Sequence, residues 1–258
     1  MKRATIWRNL WPPLVTFMVV VGLWQTLVSL LAVKAYVFPS PVMVWQQAMH
    51  YRATLVQAVA QTAEASIGGL LVGSAAGFFI GTMFAQVPFL RKSLYPYAIA
   101  LQTTPILAIA PLIILWVGSG LLSRVLIAAI IAMFPVIVNT TLGMTAVNPL
   151  AVDLMRLYGA SRSKEFRWLR FPNSLPYTLS ALKVSATLAV IGALVAEFVT
   201  GNAGLGFVII EASSQMETPY LFAAIILAAL LGLLLFTIVE GVSYLLLRTW
   251  HDTHRVQS

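Results

Sequence analysis

Apolar residues fill long unbroken runs in this chain, separated by short polar segments instead of alternating with polar positions. Six runs stand out, roughly 14–33, 65–86, 97–117, 125–146, 182–200 and 221–247. Each approaches the ~20 apolar residues that a helix needs to cross the hydrocarbon core of a bilayer. Lipid offers no partners to an open backbone, so a span must be a helix or part of a closed barrel, and continuous runs lack the alternation of barrel strands. The pattern predicts an all-α polytopic membrane protein with six transmembrane helices, forming one domain over 1–258.

Composition agrees. Of 258 residues, 60% are hydrophobic and 9% charged, against roughly a quarter charged in soluble domains. The chain has no cysteine, which excludes disulfides and thiolate sites. The net charge of +8 reads as loop Lys and Arg of a membrane protein, with no nucleic-acid partner. The basic start and first apolar run resemble a signal peptide, but the run is long and no small-residue cleavage site follows, so an uncleaved first span is expected.

An even number of spans puts both termini on one side, and basic residues choose the side. With the N-terminus inside, the cytoplasmic face carries Lys2, Arg3, Arg8, Arg91, Lys92, Arg156, Arg162, Lys164, Arg167, Arg170, Lys183, Arg248 and Arg255. The other face carries Lys34, Arg52 and Arg124. The expectation is N-in, C-in.

Two outer segments are more than loops. Ser40-Pro41 has the residues of a helix start, and Val42, Trp45, Met49, Val56 and Val59 follow at helical spacing. An amphipathic helix over 39–61 is predicted, on the outer interface or against the bundle. The second segment, 201–219, holds Gly204-Leu205-Gly206, expected as a tight turn. Within the spans, Pro105, Pro111 and Pro135 each remove a backbone hydrogen bond. Pro105 follows Gln102-Thr103-Thr104, whose side chains can serve the freed groups. Each proline is a structural kink, or the third and fourth spans line a path.

Catalytic chemistry finds little support. The histidines are His50, His251 and His254, all outside the spans, so neither a Ser–His pair nor a metal cluster forms at membrane depth. No enzyme activity, metal or cofactor is expected on this chain. Glu64 and Glu240 lie near span ends, and Glu197 lies inside the fifth span near its outer end. An intramembrane carboxylate is costly and marks function or pairing. Glu197 either bonds neighbouring backbone or is buried protonated and neutral, or it takes a direct part in gating or substrate passage. The spans show no basic partner for it, and no inverted pair of broken helices, which weighs against a secondary transporter.

The long polar segment 148–172 is basic and patterned. Asn148-Pro149 starts a helix, Asp153 lies early where a carboxylate suits the dipole, and Gly159 closes it. Ser161 caps a second helix predicted to end before Pro172. Leu150, Leu154, Leu157 and Tyr158 form one apolar stripe, with Arg156 and Arg162 at its flank and end. A solvated loop has no use for a stripe, a hinge and a stop together; a docking element does.

This segment resembles the cytoplasmic loop of ABC-importer permeases, which opens Glu-Ala-Ala, passes a glycine and closes on Ile-x-Leu-Pro. Here stand Asp153-Leu154-Met155, Gly159-Ala160-Ser161-Arg162 and Leu169-Arg170-Phe171-Pro172. The glycine and proline match, the acid is kept as Asp153, and bulkier Leu154 and Met155 replace the alanines. Phe38-Pro39-Ser40-Pro41 is similar to the family's start of a periplasmic helix. Gln102-Thr103-Thr104-Pro105 with Ala110-Pro111-Leu112, and Ala196-Glu197-Phe198 with Gly204-Leu205-Gly206, are similar to the nitrate/sulfonate/taurine branch. The stretch from Leu182 to Glu197 looks more like pyrimidine and riboflavin members.

The resemblance implies the type I importer permease fold and a bacterial inner-membrane location. It implies a second permease chain, identical in a homodimer, two ATPase subunits carrying ATP and Mg, and a periplasmic or lipid-anchored substrate-binding protein. Asp153, Leu154, Leu157, Gly159, Ala160, Ser161, Arg162 and Pro172 would couple to the ATPase. Gln102, Pro105, Pro111, Pro135, Glu197, Gly204 and Gly206 would line the path or its gate. No Walker-type loop occurs here, so ATP hydrolysis is expected on another chain. The solute would be a small organic molecule or oxyanion of the thiamine-precursor pyrimidine, riboflavin, sulfonate, taurine or nitrate class. Lacking a Lys or Arg deep in any span, the sequence leans toward an uncharged or weakly charged organic one. A secondary transporter or channel with a basic cytoplasmic loop is the alternative, and a membrane-anchored scaffold a third.

Overall fold

The computed structural model describes residues 2–248, with side chains from residue 11 onward except at 101. His251, His254 and Arg255 lie outside the described residues, as do the side chains of Lys2, Arg3 and Arg8. The elements are α1 (Lys2–Leu30), α2 (Pro41–His50), α3 (Arg52–Gln86), α4 (Pro88–Thr103), α5 (Ile106–Val117), α6 (Leu121–Thr145), α7 (Pro149–Leu157), α8 (Arg162–Glu165), a π-helical turn (Phe166–Arg170), α9 (Phe171–Thr200), α10 (Gly204–Ser214) and α11 (Thr218–Leu247). Among the described residues, five helical stretches are long and apolar enough to cross a membrane: Trp11–Leu30, Arg52–Gln86, Leu121–Thr145, Arg162–Thr200 and Thr218–Leu247.

The centre is a layer of three helices, α3 and α6 parallel and α9 antiparallel to both, sharing the largest interfaces. Gly69, Gly73, Gly77 and Gly81 make the first contact possible. A Cβ at Gly73 would lie 2.5 Å from the Ala129 carbonyl oxygen, and at Gly77 2.6 Å from that of Met133. Small residues at four-residue spacing let helix backbones meet, which in lipid supplies dispersion contact that apolar burial cannot. On the other side Gly192 admits the Ala128 backbone. Polar groups tie the layer. Ser185 Oγ donates to the Ala132 carbonyl (2.7 Å), Thr140 and Thr178 share a bond of 3.0 Å, and Thr141 Oγ1 reaches the Gly81 carbonyl (3.2 Å).

Around this layer packing loosens. α11 covers α9 through Leu231 and Leu235 against Ala186 and Val190, with Lys183 Nζ donating to Glu240 (3.2 Å). α1 meets α2 and otherwise exposes its apolar flanks. Trp24 pins it, donating from Nε1 to the Pro39 carbonyl (3.0 Å) beside Phe38 and Phe222.

Four expectations change. The third span is not one helix: α4 ends at Thr103 and α5 starts at Ile106. Pro105 has no N–H and biases Thr104 away from the helical region, while the Thr103 and Thr104 hydroxyls both donate to the Ala100 carbonyl. The amphipathic helix of 39–61 is likewise two. α2 stops at His50, Tyr51 turns with φ −95° and ψ 21° and stacks near Tyr220, and Val56 and Val59 belong to the 35-residue α3. Val42, Trp45 and Met49 point outward, and Val44 is the residue buried.

The helix after Ser161 also does not end before Pro172. It passes through the π turn into α9, where Phe171 N–H reaches back to the Phe166 carbonyl and Pro172 occupies the first turn, which needs no donor from it. Gly204-Leu205-Gly206, expected as a turn, begins helix α10.

Candidate functional site

Three places collect the polar chemistry of this apolar molecule. The first is the α4–α5 break. A cavity of about 490 Å³ opens there, bounded by Gln102, Thr104, Ile106 and Ile109 on one side, by Ile130, Ile131, Met133 and Phe134 of α6 on the other, and by Leu188 of α9. Gln102 and the Pro105 break lie together on its edge. Pro135, one residue beyond Phe134, sits in a continuous α6, whose Asn139 Nδ2 donates to the Pro135 carbonyl (2.9 Å). Pro111 is exposed inside continuous α5 and does not border this cavity.

The second is Glu197, fully buried in α9. Ala203 precedes α10 and supplies no side-chain cap, so distant side chains satisfy the free donors of that helix start. Gln61 Oε1 accepts from Gly204 N–H (2.9 Å), Thr62 Oγ1 from Leu205 N–H (2.8 Å) and Glu197 Oε2 from Gly206 N–H (2.9 Å). Thr62 in turn donates to Glu197 Oε2 (2.9 Å). A negative group at a helix N-terminus is also favoured by the dipole. Gly204 has φ +87°, and a Cβ there would overlap the Glu197 carboxyl. At Gly206 a Cβ would lie 2.7 Å from both Glu197 Cβ and the Leu194 carbonyl oxygen. Glu197, Gly204 and Gly206 are therefore one unit: the glycines leave the space that the carboxylate fills.

The expectation that no basic partner exists at this depth is overturned. Arg124, counted among outer loop charges, lies in the first turn of α6 at 9% exposure, its Nη1 3.9 Å from Glu197 Oε1. That gap is an ion pair, not a hydrogen bond. A cation opposes the dipole at a helix start, and the buried carboxylate offsets it. The lysine- and arginine-free interior inferred from the sequence is corrected at the same residue. Above this centre, Asn202 Nδ2 donates to the Ser119 carbonyl (2.8 Å), joining the loops before α6 and before α10.

The third lies at the opposite end of α6 and α9. Asn148 caps α7, its side chain accepting from Leu150 N–H (2.9 Å). Gly159 has φ +72°, and Ala160 N–H reaches the Met155 carbonyl (2.9 Å), the bond that closes a left-handed helix end. Ser161 Oγ accepts from Lys164 N–H (3.4 Å). Val152 turns inward, while Leu150, Leu154, Leu157 and Tyr158 stand in the open, the last two at 85% and 84% exposure. Asp153 and Arg162 are exposed beside them.

Beneath this knob lies a clamp that the sequence reading missed. Glu165, buried, accepts from Arg170 Nε (2.7 Å) and Nη2 (2.5 Å), and Arg170 Nη1 donates to the Met144 carbonyl at the end of α6 (3.0 Å). Arg156 of α7 stands 3.7 Å from the other Glu165 oxygen. One carboxylate thus holds α7, the π turn and α6 together. Glu165 was the lone acid within a basic run, which was the available signal; Gln61-Thr62, just ahead of the apolar run 65–86, was the corresponding one for the Glu197 centre.

Residues 69–250 match the family model described as binding-protein-dependent transport system inner membrane component. The chain is 34% identical over 245 residues to the riboflavin transport system permease protein RibX of Chloroflexus aurantiacus, covering 92% of this chain and 91% of the relative. It is 28% identical to the formylaminopyrimidine transport permease protein ThiX of Halalkalibacterium halodurans, covering 91% and 94%. The putative aliphatic sulfonates transport permease protein SsuC of Bacillus subtilis is 30% identical, with 92% and 86% covered. A chain of the MetNI methionine ABC transporter in inward-facing conformation superposes with a TM-score of 0.60 at 17% identity, over 74% of this chain and 97% of that one, a likeness of fold.

Proposed function

We infer the function from one premise: this chain belongs to the binding-protein-dependent transport system inner membrane components, and is a multi-pass permease of an ABC transporter. It serves import, with six passes, α4 and α5 making one interrupted span, and both termini on the cytoplasmic side. Two copies face each other around a shared path. Each presents α7 to one of two ATPase subunits, which bind ATP and Mg, and a binding protein delivers the solute at the end where α2 and α10 lie. The solute belongs to the classes carried by its relatives, whether ring compounds or oxyanions.

The observation that carries this reading is the exposed apolar face of α7 on a clamped mount. Leu154, Leu157 and Tyr158 are large, apolar and bare, while Glu165 and Arg170 fix their base to α6 and α9. A push on α7 therefore moves two long helices at once. α6 alone is 25 residues, about 38 Å at the usual rise, and its far end carries Arg124 against Glu197. ATP-driven closure below would thus reach the Glu197 centre and the α4–α5 break without any flexible link between.

The test is reconstitution in vesicles with the cognate ATPase and binding protein. Solute uptake should require ATP and the binding protein. Uptake driven by a proton or sodium gradient without the ATPase would replace this reading with a secondary transporter.

A further inference from the structure

Resting on the permease reading, we propose that the cavity at the α4–α5 break is a solute-selecting site for an uncharged planar heterocycle, with the Gln102 amide reading its hydrogen-bonding edge. At about 490 Å³ the cavity falls within the ~300–1,000 Å³ of small-molecule sites. Its walls are apolar, and no ionised side chain borders it. Moving an unpaired anion out of water into such a space is unfavourable, so nitrate or a sulfonate fits it poorly. The nearest buried cation on α6, Arg124, lies about 10 Å along that helix and faces Glu197.

What the cavity does offer suits a flat ring. Phe134 and Met133 border it, an aromatic ring and a polarisable sulfur, the side-chain types that pack favourably against aromatic rings. Thr103 and Thr104 have committed their hydroxyls to the Ala100 carbonyl. Gln102 has not: its amide is exposed at the cavity edge. A primary amide presents a donor and an acceptor side by side, the complement of a ring edge carrying N–H next to C=O, or an amino group next to a ring nitrogen. A site built to bond such an edge discriminates against solutes that lack it far more than an apolar wall does.

The cysteine-free chain makes a direct test practical. Ile109→Cys, on the cavity wall, is placed in the full transporter with ATPase and binding protein in vesicles. Its labelling by a neutral maleimide is followed by mass on this chain. Riboflavin or 4-amino-2-methylpyrimidine should slow labelling at least threefold, while taurine and nitrate leave it unchanged. Adding Gln102→Leu should raise the protecting concentration about tenfold. Ile130→Cys, on the facing helix, repeats the measurement should the first variant fold poorly. Protection by taurine or nitrate, protection by neither ring compound, or indifference to Gln102→Leu would each overturn the proposal. Binding-protein-stimulated ATP turnover in the same vesicles separates the two levels. If turnover persists while protection fails, the permease reading stands and the ring site falls. If turnover itself is absent, the permease reading falls as well.

Discussion

Pro135 and Pro105 present the same chemistry to their helices and meet different fates. Around Pro135, α6 is gripped from both sides: Gly73 and Gly77 bring the α3 backbone against it, and Ser185 of α9 donates to the Ala132 carbonyl. The missing N–H is absorbed and the helix runs on. Around Pro105 residues 102–105 are exposed, and two threonines turn their hydroxyls to Ala100, competing with the backbone for that carbonyl. The helix parts. Exposure alone is not the cause, because Pro96 and Pro111 are also exposed and sit inside continuous helices. In the packed layer neighbours decide the backbone; in the open span the adjoining residues do.

The largest effect is expected where the packed layer holds charge. Glu197→Leu removes the acceptor for Gly206 N–H and Thr62 and strands buried Arg124. Breaking a buried pair costs about 3–5 kcal/mol. Transport and folded yield should both collapse. Glu197→Gln keeps an oxygen for Gly206 and should lose about 1–3 kcal/mol, and Arg124→Leu added to Glu197→Leu should recover part of the loss. Equal transport by wild type and Glu197→Leu at matched membrane abundance would make this glutamate a bystander.

Next comes the helix contact itself. A side chain at Gly77 meets the Met133 carbonyl and Val136, and overpacking of this kind costs about 1–3 kcal/mol or more. Gly77→Leu should cut the monodisperse fraction in detergent, whereas Gly241→Leu, with nothing within 4 Å, should leave it unchanged. Similar losses in both would mean the glycine stripe is not what sets the α3–α6 approach.

The same division governs what the sequence made legible. Five of the six apolar runs, the Asn148 cap of α7, the Gly159 stop and the bonding of Glu197 to neighbouring backbone rest on local composition and spacing, so they could be read directly. Arg124 could not, because a basic residue near a loop looks alike whether it faces water or Glu197, 73 positions away (197 minus 124). Nor could the outward turn of Val42, Trp45 and Met49, since helical periodicity fixes a face but not what covers it. Gly69, Gly73, Gly77 and Gly81 were visible at regular spacing, yet only the partner helix gives that spacing its meaning.

A smaller effect should follow from healing the break. Thr103→Val with Thr104→Val keeps shape and removes both back-bonds to Ala100, each of the ~0.5–1.5 kcal/mol typical of a net hydrogen bond. Amide exchange over 104–108 should slow as the helix extends toward Pro105, and uptake should fall severalfold while the melting temperature holds or rises. Unchanged exchange would leave Pro105 itself as the sole cause.

The smallest effect on stability belongs to Gly159, the counterpart of Gly77 in the open region. A Cβ there meets nothing within 4 Å, but φ is +72°, so the cost is conformational, about 1–2 kcal/mol for an L residue. That cost falls on α7, whose outer face is exposed, and should not reach the α3–α6–α9 layer. Gly159→Ala should therefore leave the melting temperature in place and reduce ATP-coupled uptake up to about tenfold, since 1.4 kcal/mol corresponds to one decade. Gly159→Asn, which tolerates the left-handed region better, should lie between alanine and wild type, and Gly159→Pro should lose coupling while the spans stay inserted. Alanine and asparagine variants that couple equally well would show that docking of α7 does not depend on how the helix is closed.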